Sequence, residues 1–495
     1  MARDFLTRLC FTLLLTLQLL LAAEAFDPFG RKKRERQRAE AEALRLSKLV
    51  VIFGLEINKT LFYIVTLLVA AGIGGFLLNS QKLVLKKQRG NRPDTDGTLD
   101  VVVVGCGLPK KVGQRFYHFC SSWIVHLPCE LNSKNCSLLL LKTVKGMGWY
   151  HLTQLLEMSR VNVTAVVEPF FMNEKLCPEP PAVFLELTHS LEAMGIETKK
   201  SVDDLSVFTK PTMCLIAGRT AENPELFRQC VERGAQVIYL EKPGAPTVKE
   251  LEDMRTLAEE KNVKVYLGYN KNVTPYVLNT IKVARETPNS HVFFCHNNSY
   301  STSDLPEVFA RNSEGMLKNM AIHELALLVM FFQVTVDNIE KFKVNTDKLF
   351  SEQVSIWKPG TSLPNPEYIV DFSRVAFKIT TKAGTNVSLM ADRCGGNVSF
   401  AVVKDVLGKE VKRFDYPDPE TAALIDEKVA KDPQMMPYFL VQSDDYKELK
   451  DRVVNATLDS RSEGPEGVAT ITVGIEALKL AEYATDQLNK ALKSK

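Results

Sequence analysis

The ten cysteines of this 495-residue chain form no C-x-x-C pair and no regular spacing. That argues against a structural zinc site and against a disulfide framework. Cys106, Cys214 and Cys295 sit in apolar runs and read as core residues. Charge of one sign is also missing. Sixty-two Lys and Arg stand against 59 Asp and Glu, leaving a formal net charge of +3. With neither a basic surfeit nor an interleaved basic and aromatic platform, nucleic acid is not an expected partner. What remains is ordinary for globular proteins: 45% hydrophobic and 24% charged residues. The length allows two to four domains of roughly 100–200 residues each.

The first hundred residues differ from the rest. Leu9 to Ala23 is nearly all apolar, follows Arg3 and Arg8, and ends in Ala23-Glu24-Ala25. It is short for a span of about 20 residues, so 1–25 reads as a secretory signal-like segment. Plastid targeting is a minor alternative. Residues 26–59 are a basic juxtamembrane segment. Residues 60–78 carry no charge and no amphipathic stripe, and the expectation is a transmembrane helix. Residues 79–98 read as a linker. The chain is thus expected to be membrane-anchored in the secretory pathway. A cleaved signal would leave the main body in the cytosol, whereas charge bias and eight N-x-S/T sequons point to the lumen, so its side is left open.

From residue 99 the pattern becomes strand, helix, strand. Leu99 to Val104 is a buried strand running into Gly105-Cys-Gly107. Glycines there let a backbone approach a pyrophosphate, and a helix N-terminus behind them holds the charge. Lys110 stands where a third glycine is expected, and the turn resumes at Gly146-Met-Gly148 with a helix behind it. Residues 112–145 interrupt the turn as an anomalous insert, read either as an in-frame retained intron or as a surface loop. A second strand, Val161 to Val167, ends on Glu168. An acid there can accept both adenosine ribose hydroxyls, which favours NAD over NADP. Further strands end at Gly218-Arg219-Thr220, at Glu241-Lys242-Pro243 and at Gly268-Tyr-Asn270. Pro243 cannot continue a sheet ladder, so Glu241 and Lys242 are presented at the carboxyl edge of a strand, where open α/β sheets bind ligands. A strand-end ion pair is the plainer alternative. The helix 247–261 opens on Thr247 with Glu250 three residues on, a capping box. Alternation throughout 99–285 implies a doubly wound parallel sheet, a Rossmann domain.

Glu241-Lys-Pro-Gly-Ala, the helix behind it and Gly268-Tyr-Asn270 resemble the glucose–fructose oxidoreductase / inositol dehydrogenase (Gfo/Idh/MocA) family. The resemblance covers about 99–490 without the insert. It implies an N-terminal Rossmann domain and a C-terminal α+β domain, 286–495, with a mostly antiparallel open sheet. It implies NAD(P)-dependent redox chemistry on sugars or polyols. By resemblance, Lys242 contacts the substrate hydroxyl, Glu241 helps hold the cofactor, and Asn270 lines the same cleft. Gly105, Gly107, Gly146, Gly148, Glu168 and Arg219 complete the expected cofactor set; no metal ligand is expected.

In the second half, residues 315–332 read as one apolar helix carrying Asn319 and His323, four apart and so on one face. The family places an acid four residues before a histidine that accepts the hydroxyl proton. Imidazole suits that task, its pKa being near neutral. Here the acid position holds Asn319, which can orient a group but cannot stabilise imidazolium as a carboxylate does. Lys318 is a further candidate for the cleft. Residues 338–357, 375–383, 386–393, 398–407 and 410–415 alternate as strands of an antiparallel sheet, a surface that can support a homo-oligomer. A final helix over 467–492 is expected to pack back on the Rossmann half. The sequence therefore leads to a membrane-anchored dehydrogenase acting on CH–OH of a sugar or polyol. Its rival is a non-catalytic, dinucleotide-binding sensor or scaffold.

Overall fold

The computed structural model describes residues 97–107, 147–357, 367–431, 437–460 and 464–493. The expected signal-like segment, the membrane stretch 60–78, the insert 112–145 and Gly146 lie outside the described residues. Among the described residues no helix is long and apolar enough to cross a membrane.

Six parallel strands form the first sheet: β1 (Leu99–Val104), β2 (Val161–Val167), β3 (Glu197–Lys199), β4 (Thr212–Ile216), β5 (Val237–Leu240) and β6 (Lys264–Leu267). Their order is β3-β2-β1-β4-β5-β6. The order reverses between β1 and β4, the switch point at which such sheets bind ligands. Helices alternate with the strands: α1 (Met147–Glu157), α2 (Ala182–Ala193), α3 (Asn223–Glu232) and α4 (Val248–Glu260). The expected capping box on α4 is present: Glu250 N–H donates to Thr247 Oγ1 at 3.2 Å, and Thr247 N–H donates to Glu250 Oε2 at 3.1 Å.

Because β1, β4 and β5 are buried on both faces, they are apolar at consecutive positions rather than alternate ones. Val102, Val104, Cys214 and Ile238 face a core built with α3 and α4 and shared with the second half of the chain. Val101, Val103, Met213 and Tyr239 face the opposite core, with α1 and α2. A helix from the far end of the chain, α10 (Pro437–Leu458), covers this second face, where Leu449, Val453 and Val454 join the cluster.

The second half comprises α5 (Pro275–Glu286), β7 (His291–Asn297), α6 (Leu305–Arg311), α7 (Met316–Asn319), α8 (Ile322–Phe332), β8 (Ile339–Val344), β9 (Glu352–Trp357), β10 (Tyr368–Thr381), β11 (Asn386–Asp392), β12 (Ser399–Lys404), β13 (Glu410–Tyr416), α9 (Pro419–Lys431), α10 and α11 (Ile471–Lys493). The sheet runs β13-β12-β7-β11-β10-β8, and β9 pairs with β10. Only β7 with β11 is parallel; the other pairs are antiparallel. Helix α11 lies on the Rossmann half as expected, with Gly474 against Leu267 and Leu251. Just before it, Leu267 N–H donates to Ala469 O at 2.9 Å and Tyr266 bridges antiparallel to Thr470, which closes the free edge of β6.

Two expectations need correction. Residues 338–357 are two strands, not one, because Asn345 and Asp347 turn the chain between them, each accepting from the N–H two residues on. Residues 315–332 are also two elements. The first ends at Asn319, where Met320 and Ala321 N–H both donate to Met316 O, and the second starts at Ile322. Asn319 and His323 therefore sit on either side of a helix junction rather than on one helical face.

Candidate active site

The carboxyl edge of the Rossmann sheet gathers most of the expected groups. At the end of β1, Gly105 has φ +80° and Gly107 φ +67°. A Cβ on Gly105 would stand 2.5 Å from Gly218 Cα, and one on Gly148 would stand 2.5 Å from Cys106 Cα. Both glycines are thus required by close backbone approach, β1 to β4 and α1 to β1. Glu168, buried at the end of β2, accepts from Gly107 N–H at 2.6 Å and from Phe170 N–H at 3.1 Å. The Trp149 indole N–H donates to Gly107 O. Arg219, exposed after β4, holds its guanidinium 5.6 Å from the centre of the Phe170 ring, beside the Glu168 turn.

Strand β5 stops at Leu240, and Glu241 and Lys242 follow, with a cis Lys242–Pro243 peptide. They are not an ion pair with each other. Glu241, buried, meets His151 Nε2 through Oε1 at 2.9 Å. Half-buried Lys242 donates to Asn319 O at 2.8 Å. It is the backbone carbonyl of Asn319, not its amide, that meets Lys242. Burial lowers the Lys242 pKa, opposed by Glu241, Glu314 and Glu324. Asn270 is buried, its Nδ2 donating to Gln442 Oε1 at 3.2 Å and its Oδ1 without a partner.

Lys242, Asn319 and His323 line one cavity of about 100 Å³. His323 is 5% exposed, and its Nδ1 has no hydrogen-bond partner. Burial holds its pKa well below the ordinary 6.5, and the nearby Lys242 and Lys271 push the same way. The ring is therefore neutral at neutral pH. Lys318 does not face this cavity. It reaches Pro246 O at 3.1 Å and Glu482 at 2.8 Å.

The same cavity holds residues the sequence reading did not single out: Lys271, His296, Arg393 and Gln442. Lys271 is ion-paired with buried Glu324, whose other oxygen meets His296 Nδ1 at 2.9 Å. Burial alone would raise the Glu324 carboxyl, but His296 and Lys271 beside it hold it low. Arg393, almost wholly buried, pairs with Asp371 at 2.6 Å and lies over the Phe309 ring. Lys271 directly follows Asn270 and Glu324 directly follows His323, so adjacency to the motif residues was the available signal.

Behind Glu241 lies a second unanticipated cluster. Lys450 on α10 is 0% exposed. Its Nζ lies 2.6 Å from Gln154 Oε1, 2.8 Å from Tyr446 O and 3.1 Å from His151 Nδ1. Burial pushes the Lys450 pKa down to about 7, and it also lowers that of His151.

Residues 145–269 match the family described as an oxidoreductase family with an NAD-binding Rossmann fold, GFO_IDH_MocA. No curated protein matches the chain by sequence. Among solved structures, the chain is similar to a myo-inositol dehydrogenase from Corynebacterium glutamicum at 16% identity and TM-score 0.50, covering 80% of this chain and 97% of that one. A probable dehydrogenase from Thermotoga maritima shows 14% identity and TM-score 0.53, over 79% and 97%. A scyllo-inositol dehydrogenase from Lactobacillus casei, solved with NAD(H) and scyllo-inositol, shows 12% identity and TM-score 0.52, over 80% and 98%. At these identities the likeness is one of fold.

Proposed function

From a chain that carries the NAD-binding Rossmann domain of the Gfo/Idh/MocA oxidoreductase family, we infer an NAD-dependent dehydrogenase that acts on a hydroxyl carbon of a polyol or sugar. One observation carries the reading. Lys242, from the Rossmann sheet edge, and His323, from the second half, line the same small polar cavity.

The residues present fit a dinucleotide. The glycine turn leaves no room for a Cβ at 105 or 148, and Glu168 sits at the mouth of that turn with lone pairs left for ribose hydroxyls. When bound, NAD supplies the nicotinamide that takes up the hydride. The protein's own groups handle the proton. His323, held neutral by burial, lines the cavity and is the group placed to accept the hydroxyl hydrogen. The Lys242 ammonium, fixed by Asn319 O, polarises the same hydroxyl. As His323 gains its proton, Glu324 is the carboxylate that offsets the new charge, since position 319 offers none. Gln442 lines the same cavity, while Asn270, which does not, holds the Gln442 Oε1 from behind.

The alternative, a nucleotide-binding sensor, is favoured by the same Asn319 and by the engagement of Lys242 with a backbone carbonyl. Nicotinamide absorbance over a panel of polyols and sugars separates the two. A dehydrogenase reduces NAD with at least one member, and Lys242→Ala lowers that rate by roughly 10²–10⁴-fold. Nucleotide binding without turnover on any member would replace the enzyme reading with the sensor.

A further inference from the structure

We propose that Lys450 is a positioning residue. From helix α10 it holds the bare Nδ1 of His151, and through that ring the orientation of Glu241, the residue preceding Lys242.

An ammonium has three N–H donors and no acceptor. Below its pKa of about 7 Lys450 is such an ammonium, with three partners that must each accept: Gln154 Oε1, Tyr446 O and His151 Nδ1. His151 Nδ1 is therefore the bare nitrogen, and the ring hydrogen resides on Nε2. That hydrogen points at Glu241 Oε1, 2.9 Å away. The opposite tautomer would set two donors face to face at Lys450 and leave two acceptors facing each other at Glu241. The lowered pKa of His151 is in keeping with a neutral ring.

The lysine is surrounded on all sides. His151 and Gln154 face it from α1, and Tyr446 and Asp451 flank it on its own helix. Glu241 reaches it through the imidazole. Other contacts hold α10 on α1: Tyr150 Oη donates to Phe439 O at 3.1 Å, and Gln154 Nε2 donates to Ser443 O at 2.8 Å. At the far end of the chain of contacts, Gly268 makes room for Glu241, since a Cβ there would stand 2.4 Å from Oε1. The polar path thus runs from the last third of the sequence, through a Rossmann helix, to the strand end that presents Lys242.

The inference rests on the dehydrogenase reading only for its kinetic consequence, so the test has two arms. In ¹⁵N-histidine-labelled full-length protein near pH 6, His151, identified by the signal lost in His151→Gln, is expected in the Nε2–H form. In Lys450→Met the bare Nδ1 loses its donor and the neighbouring positive charge, so the ring takes a second proton more readily and imidazolium appears at higher pH than in wild type, and turnover falls on the order of tenfold or more with the KM for the polyol unchanged. Gln154→Leu loosens the same helix contact but leaves the lysine donor, so it keeps the Nε2–H signature. A wild-type ring in the Nδ1–H or imidazolium form overturns the proposal without any variant having to fold. So does a Lys450→Met ring that titrates as in wild type. A wild-type Nε2–H ring in a protein that turns over no substrate removes the dehydrogenase reading and leaves the positioning role standing.

Discussion

Replacing Lys450 with Met should change how stability depends on pH, and the size of the effect follows from burial. The ammonium is wholly enclosed, and burial brings its pKa from the ordinary 10.5 to about 7. In the unfolded chain the side chain returns to the ordinary value. Between about pH 7 and 10.5 the unfolded state therefore binds more protons than the folded one, so wild-type stability rises with pH across that window. A tenfold change in a protonation equilibrium corresponds to about 1.4 kcal/mol, which gives roughly 5 kcal/mol for the whole window and about 2 kcal/mol between pH 7 and pH 9. Lys450→Met lacks this rise. Its lost hydrogen bonds add a penalty that is the same at both pH values, so the difference between the two curves isolates the lysine. His151 does not enter, because its pKa is lowered from 6.5, below the window. Denaturant unfolding of both proteins at several pH values reads the difference directly. Curves that stay parallel within about 0.5 kcal/mol from pH 7 to 9 would mean that the lysine is hydrated and that the enclosure argument is wrong.

Three further outcomes are expected. Gly268→Ala places a Cβ 2.4 Å from Glu241 Oε1, so Glu241 must swing away from His151; a melting experiment should show about 1–3 kcal/mol of lost stability together with lower kcat/KM, and an unchanged kcat/KM would detach Glu241 from function. Asn319→Asp adds a carboxylate to the cavity that holds His323. An opposite charge favours imidazolium, so the acid limb of the pH–rate profile should move up by about one pH unit, and an unmoved limb would show that residue 319 does not reach the ring. For the expected membrane stretch, the full chain should resist alkaline carbonate extraction from membranes while a chain lacking 60–78 is released; equal release of both would end the anchor idea.

The Rossmann half was legible because its signals are local. Strands buried on both faces appear as continuous apolar runs, Thr247 and Glu250 announce a helix start, and Pro243 ends β5 where expected. Glu168, Glu241, Lys242 and Asn270 could be placed because each lies within three residues of the end of such a strand. What could not be read depends on tertiary contact. Lys450 lies in Asp444-Asp-Tyr-Lys-Glu-Leu-Lys-Asp-Arg452, a run that looks solvated throughout. Only the turn of α10 puts Lys450 on the face shared by Tyr446, Leu449 and Val453, all buried. The junction after Asn319 was equally hidden, because the apolar composition continues unbroken across Met320, Ala321 and Ile322 while the backbone does not. Arg393 lies far along the chain from every recognised motif, and its place in the cavity follows from β11 pairing alongside β7.

The closure of β6 by residues 469 and 470 bears on how this protein can be divided. An edge strand with open N–H and C=O groups is a template for pairing with other chains. Here the cover for that edge, and the helix laid over Leu251 and Leu267, come from the last stretch of the sequence. A fragment cut at the apparent boundary near residue 285 would keep all six Rossmann strands yet expose both the edge and its apolar flank. The nucleotide half is thus a unit of architecture without being a unit of manufacture: on the ribosome, the strand β6 waits unprotected until residues 469 and 470 have been made.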